Sequence, residues 1–178
     1  REQLLSAYLY NFAKNIRWQN EESFSAFRVH VVSDNPLLAR ELTRLAQNRS
    51  LRSKPIRVSS STSVQDIEKA HLVFASKEKE PLLAAIVDRI EGRNILLVTE
   101  EFRDTRLVMI NLIESKSGSL RFEINKANLV NQGFQVTEDL ILLGGTEVDV
   151  ATLYREGQQS LRALQKKIDL LESNLSAL

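Results

Sequence analysis

The chain has 178 residues, 43% of them hydrophobic, and its 24 Lys and Arg against 23 Asp and Glu leave a formal net charge of +1. That length holds one substantial domain plus an appendage, and the balanced charge, with no basic stripe, argues against a nucleic-acid partner. The absence of cysteine excludes thiolate catalysis, disulfides and cysteine-held metal, and no run of eighteen apolar residues marks a membrane span.

Because the chain opens on Arg1 rather than Met, we expect a segment upstream, for which a cleaved export signal is one natural explanation and a boundary inside a longer chain is the other. Leu5, Tyr8, Leu9, Phe12 and Ile16 recur at helical spacing and predict an opening amphipathic helix that ends before Trp18. Phe27-Arg-Val-His-Val-Val32 is rich in β-branched residues and reads as a strand. Asn35 then caps a helix with Pro36 in its first turn and Leu38, Leu42 and Leu45 on its buried stripe. The unit repeats. Pro55-Ile-Arg-Val-Ser59 is a short strand, Ser63 caps a helix over 64–69, and Leu72-Val-Phe-Ala75 is a third strand. A helix from Pro81 presents Leu82, Leu83, Ile86, Val87 and Ile90 and stops at Gly92, before the strand Ile95-Leu-Leu-Val-Thr99. Strands alternating with helices predict a three-layer, mainly parallel α/β sheet.

The pattern then changes. Strands over 107–113 and 120–125 flank Lys116-Ser-Gly-Ser119, where Gly118 suits a tight turn, so an antiparallel hairpin completes the sheet. Asn125 caps a short helix ending at Gly133, and Thr137 caps another over 140–143. From here the apolar positions alternate at intervals of three and four. Tyr154, Leu161, Ile168 and Leu175 take heptad position a, while Val150, Gly157, Leu164, Leu171 and Leu178 take d. Lys167 at g faces Glu172 at e in a parallel pair. We therefore expect a sensor domain over 1–146 and a long parallel coiled-coil helix over 147–178, with the chain a homodimer through that seam. A single amphipathic helix folded back on its own domain is the alternative.

No constellation of catalytic groups stands out. His30 and His71 fall on expected strands with no carboxylate at metal-ligand spacing and read as structural, and no cofactor is expected. A phosphoacceptor receiver domain would need an Asp where Ser76 and Lys77 stand, although Asp34 suits the first acidic position. A phosphate loop after the first strand is ruled out by Ser33-Asp-Asn-Pro36, which lacks glycine, and the Ser59-Ser-Ser-Thr-Ser63 run reads as a solvated loop. Asn111 interrupts an apolar strand, and Arg121, Glu123 and Asn125 share one strand face. They form either a polar ligand floor or the solvent face of an edge hairpin. Asn11, Lys14 and Trp18 around the first helix present the same choice.

Tyr10-Asn-Phe-Ala-Lys-Asn-Ile-Arg-Trp18, Ala70-His-Leu-Val-Phe-Ala-Ser76, and Met109-Ile-Asn-Leu-Ile113 with Leu120-Arg-Phe-Glu-Ile-Asn125 resemble successive blocks of the YfiR family. The resemblance covers about residues 4 to 145, and the hairpin block is its most specific part. It implies a non-catalytic extracytoplasmic αβ domain. Some members resemble periplasmic repressors of a membrane diguanylate cyclase, and others form the sensing end of membrane histidine kinases. The chain departs from the family at Ala70, where cysteine is common, which argues against redox control of that kind. The heptad seam lies outside the repressor pattern. On this reading the chain is the periplasmic sensor of an inner-membrane histidine kinase, answering a small ligand or an envelope protein, with any membrane contact made by segments outside it. The cyclase repressor is the alternative, and an enzyme comes third because no nucleophile, base and orienting group coincide.

Overall fold

The protein is described here by a computed structural model over residues 1–142 and Leu170. Helix α1 (Glu2–Asn15) buries Leu5, Leu9, Phe12 and Ala13, the stripe its spacing requires. It runs into β1 (Ile16–Arg17), and after a 3-10 turn at Glu21–Ser23 the chain enters β2 (Phe27–Val32). Helix α2 (Leu37–Asn48) opens where the Asn35 side chain accepts from the Leu37 N–H at 3.0 Å, satisfying one of the donors a helix start leaves unpaired. β3 (Ile56–Ser61), β4 (Leu72–Ala75), α3 (Leu83–Ile90), β5 (Leu96–Glu100), β6 (Ile110–Glu114) and β7 (Leu120–Ile124) follow. Then come α4 (Lys126–Asn131), β8 (Gln135–Val136) and α5 (Asp139–Leu142).

The main sheet has six strands in the order β3-β2-β4-β5-β6-β7, all parallel except the last, which pairs antiparallel with β6. This is the mixed α/β, mostly parallel architecture with a closing hairpin that the alternation predicts. β4 and the first three residues of β5 are apolar on both faces, and both strands are buried along their whole lengths, with Thr99 and Glu100 as the polar end of β5. The β2–α2–β3 and β4–α3–β5 connections step in opposite directions, and right-handed crossovers therefore place α2 and α3 on opposite faces. Helix α1 shares the α2 face. Its Tyr8 and Phe12 pack edge-on against Phe122 of β7 at ring separations of 6.0 and 4.9 Å.

Three expectations need correction. The helix over 64–69 is only a 3-10 turn, Ile67–Lys69, because Asp66 sits at φ +64° and breaks the α-helical path. Residues 107–109 precede β6 rather than belonging to it, and Asn125 N–H reaches back to the Met109 carbonyl at 2.8 Å. The Thr137 hydroxyl bonds Asn15 Oδ1 at 3.0 Å, tying the chain after β8 back to the end of α1. The second, two-stranded sheet of β1 and β8 had no counterpart in the sequence reading. The heptad seam of Tyr154, Leu161, Leu164, Ile168, Leu171, Leu175 and Leu178 lies outside the described residues.

Candidate functional site

Because β2 sends its connection one way along the sheet and β4 sends its own the other, no crossover covers the gap between their carboxyl ends. Open α/β sheets bind ligands in that crevice. Here it holds a cavity of about 100 Å³ with Leu5, Leu38 and Phe74 as its apolar wall and Arg1, Ser33, Ser76, Glu78 and Glu100 as its polar one. Ser76 follows β4 and Glu78 stands in the 3-10 helix Lys77–Leu82 that comes next, and the loop after β2 supplies Ser33 and Asp34.

Glu78 is the hub of the cleft. One carboxylate oxygen accepts from the Ser76 hydroxyl at 2.6 Å, the Asp34 N–H at 2.9 Å and the Ser33 hydroxyl at 3.3 Å. Partial burial pushes its pKa up, but these donors outweigh burial and hold it below the ordinary carboxylate value. Glu100, 7% exposed, takes the Arg1 guanidinium at 2.6 Å. Beside them the buried ammonium of Lys79 joins Asp34 Oδ1 and the Thr62 carbonyl, each at 2.6 Å, so the loops after β2, β3 and β4 meet on one cation. Glu78 stays ionised and offers no proton, so the arrangement is suited to holding a small polar group. Among the described residues no group of three or more His, Asp or Glu is placed to hold a metal ion.

The opposite, amino ends of the strands are closed by side chains that the sequence reading partly singled out. Trp18 is 5% exposed, packs edge-on against Phe27 and Phe134, and donates its indole N–H to the His71 carbonyl at 2.9 Å. His71 Nδ1 accepts from the Arg28 N–H at 2.9 Å, and its ring stacks on Phe24 at 3.9 Å. Burial, with Arg28 and Lys54 nearby, pulls its pKa down to about 4. Arg52 grips Glu21 through two 2.6 Å contacts and also donates to the carbonyls of Ala13, Lys14 and Ile16, capping α1. Burial raises the Glu21 pKa, yet Arg52 and the Trp18 N–H outweigh it and hold the group low. Sequence reasoning missed Arg52 and Glu21, which lie 31 positions apart.

The other residues expected at a ligand site fall in separate places. Asn111, 3% exposed, ties down the chain after β5. It accepts from Thr99 Oγ1 and the Phe102 N–H, and donates to the Phe102 carbonyl. Asn125 caps α4 through the Asn128 N–H at 3.1 Å. Arg121 and Glu123 stand on the β7 face away from the Phe122 ring, and Glu123 lies in register with Asn111. Lys14 is exposed over the Tyr10 ring at 5.7 Å, while half-buried Asn11 accepts the Asn15 side chain through its carbonyl. His30, in the sheet interior, bonds Ser59 Oγ at 2.7 Å and Ser61 Oγ at 2.8 Å. The Ser61 hydroxyl also donates to the Ser63 carbonyl, so His30 carries its proton on Nε2 and accepts from Ser59. Burial lowers the His30 pKa.

The fold is a doubly wound sheet of the α/β class with a polar crevice at its switch point, bordered by the start of α1. The family model described as YfiR/HmsC-like matches residues 2–144, and the chain belongs to that family. No curated protein matches the chain. Among solved structures it is similar to the ABC domain in complex with L-Trp from Streptococcus pneumonia, with 9% identity and a TM-score of 0.48, over 66% of this chain and 53% of that one. The chain thus spans about half of that protein's length.

Proposed function

We propose that this domain is a non-catalytic periplasmic regulator that binds and inhibits a membrane diguanylate cyclase. The observation that supports this most is the family match over residues 2–144, which takes in the whole sheet and its covering helices. No helix among the described residues is long and apolar enough to cross a membrane, which fits a domain that meets its membrane partner from outside the bilayer. The switch-point cleft is then the input. A ligand seated there changes inhibition only if it binds the free and partner-bound domain unequally. The test is to export the domain in cells carrying the membrane cyclase of the same organism and to measure cyclic di-GMP. We expect the nucleotide to fall as the domain accumulates; an unchanged level at matched abundance would overturn the reading.

The seam from Tyr154 to Leu178 favours a second reading, in which the domain is the sensor of a histidine kinase and signals as a homodimer. Sedimentation of the full chain and of a chain ending before Tyr154 separates the two. Loss of the dimer on truncation supports the sensor, and an equally stable dimer removes the seam as its pairing element.

A further inference from the structure

The two edges of the main sheet are finished differently. β7 carries Arg121 and Glu123 on one face, the kind of charge that hinders pairing with a further strand. β3 keeps unbroken parallel register with β2 from Phe27↔Ile56 to Val32↔Ser61, with no internal proline and with Arg57 as its one charged residue. Pairing at both ends of that ladder tells which backbone groups look outward. Phe27 N–H donates to the Pro55 carbonyl at 2.8 Å and Ser33 N–H to the Ser61 carbonyl at 3.0 Å. In a parallel strand the N–H and C=O of one residue point to the same side, and the side alternates along the chain. Arg57 and Ser59 therefore also face β2, whereas Ile56, Val58 and Ser60 turn their backbone groups outward. Among the described residues no strand lies beyond them.

Alongside this edge α2 leaves a groove of about 440 Å³ lined by Ala39, Thr43 and Val58, with Arg40 and Arg44 on its helix wall. Arg40 is exposed, and Arg44, whose side chain is 69% exposed, meets Glu41 at 3.5 Å. A main-chain template thus runs beside two cations that reach solvent.

We propose that the outer edge of β3 is a strand-addition site for an extended acidic segment of a partner protein. The segment pairs with the outward groups of Ile56, Val58 and Ser60 and places every second side chain on the α2 face, where its carboxylates meet Arg40 and Arg44. This inference is independent of the cyclase reading, since it depends only on the edge, the groove and their charge.

The probe is a capped hexapeptide alternating Glu and Val, titrated into the full chain while amide exchange is followed residue by residue. We expect exchange at Ile56, Val58 and Ser60 to slow at least tenfold, with Arg57 and Ser59, already bonded to β2, unchanged. Val58→Pro deletes one outward donor and leaves the β2 ladder intact, so binding weakens at least tenfold. Reversing Arg40→Glu and Arg44→Glu together, on the helix surface and away from the ladder, transfers preference to the Lys–Val hexapeptide. Protection at other residues, no binding at millimolar peptide, or unchanged affinity in both variants would overturn the proposal. So would a dimer that forms without peptide and dissolves in Val58→Pro, since that outcome assigns the edge to a second copy of the chain.

Discussion

The two ends of the parallel strands are built from the same kinds of residues and put them to opposite uses. At the amino ends, charged and aromatic groups turn inward. Arg52 and Glu21 spend their hydrogen bonds on each other and on the end of α1, and Trp18 and His71 spend theirs on backbone. At the carboxyl ends, Ser33, Ser76, Glu78 and Glu100 line an open cavity of about 100 Å³. Beside Trp18 and His71 a space of only about 20 Å³ is left, against about 100 Å³ beside the charged groups of the carboxyl end. One end locks the fold, and the other is the end that the proposed function assigns to a ligand.

That contrast can be broken by measurement. The largest loss is expected from Trp18→Ala, which removes a buried ring and one of the two donors, with the Leu96 N–H, to the His71 carbonyl; urea unfolding should register about 3–5 kcal/mol. Arg52→Ala leaves Glu21 buried without its main cation and the α1 carbonyls uncapped, and about 3 kcal/mol is expected from the same measurement. Acid comes next. His71 titrates near 4 in the folded chain and near 6.5 unfolded, so the unfolded state binds the proton first. Stability is flat above pH 6.5 and falls as pH drops from about 6.5 toward 4, by roughly 1–2 kcal/mol once the ring's partial exposure is allowed for. His30, whose pKa burial also lowers, adds to the same window. Denaturation midpoints across that range check the sign, and His71→Gln should flatten part of the slope. The smallest stability change, below about 0.5 kcal/mol, is expected of Glu78→Gln at the exposed cleft. Under the proposed cyclase reading this variant, rather than the amino-end ones that still fold, should alter inhibition. If Glu78→Gln inhibits normally and a folded Arg52→Ala does not, the division between the two ends is wrong.

Much of the architecture is legible in local signals. β2 and β4 have the expected bounds because their apolar and β-branched runs end in turn residues. Gly92, Gly118 and Gly133 all adopt the positive φ that their stop and turn positions require. The stretch over 64–69 was misread because a serine cap and one buried Ile67 look the same for a single turn as for a helix, and the left-handed Asp66 has no sequence signature. The pairing of β1 with β8 spans two residues on each strand, too few to show a period. Trp18, Asn111 and Asn125 were visible as polar exceptions, but their partners are largely backbone groups, which every residue carries. The cleft could not be read at all. Glu78 meets Ser33 and Asp34 across 45 and 44 positions, and each of the three is an ordinary loop residue until the topology brings the strand ends together.

Helix α1 runs between the two ends. Its fourteen residues span about 21 Å, with Arg1 ion-paired to Glu100 just before it and Arg52 clasping the carbonyls at its foot. Sliding along its own axis would drag Phe12 off Phe122, so the helix is fixed lengthwise. Leu5 and Leu9 seat the rod in the core along its length, and the Tyr8 hydroxyl ties its middle to the Leu120 carbonyl. A group that takes Glu100 from Arg1 therefore loads one end of a beam whose other end rests on Arg52.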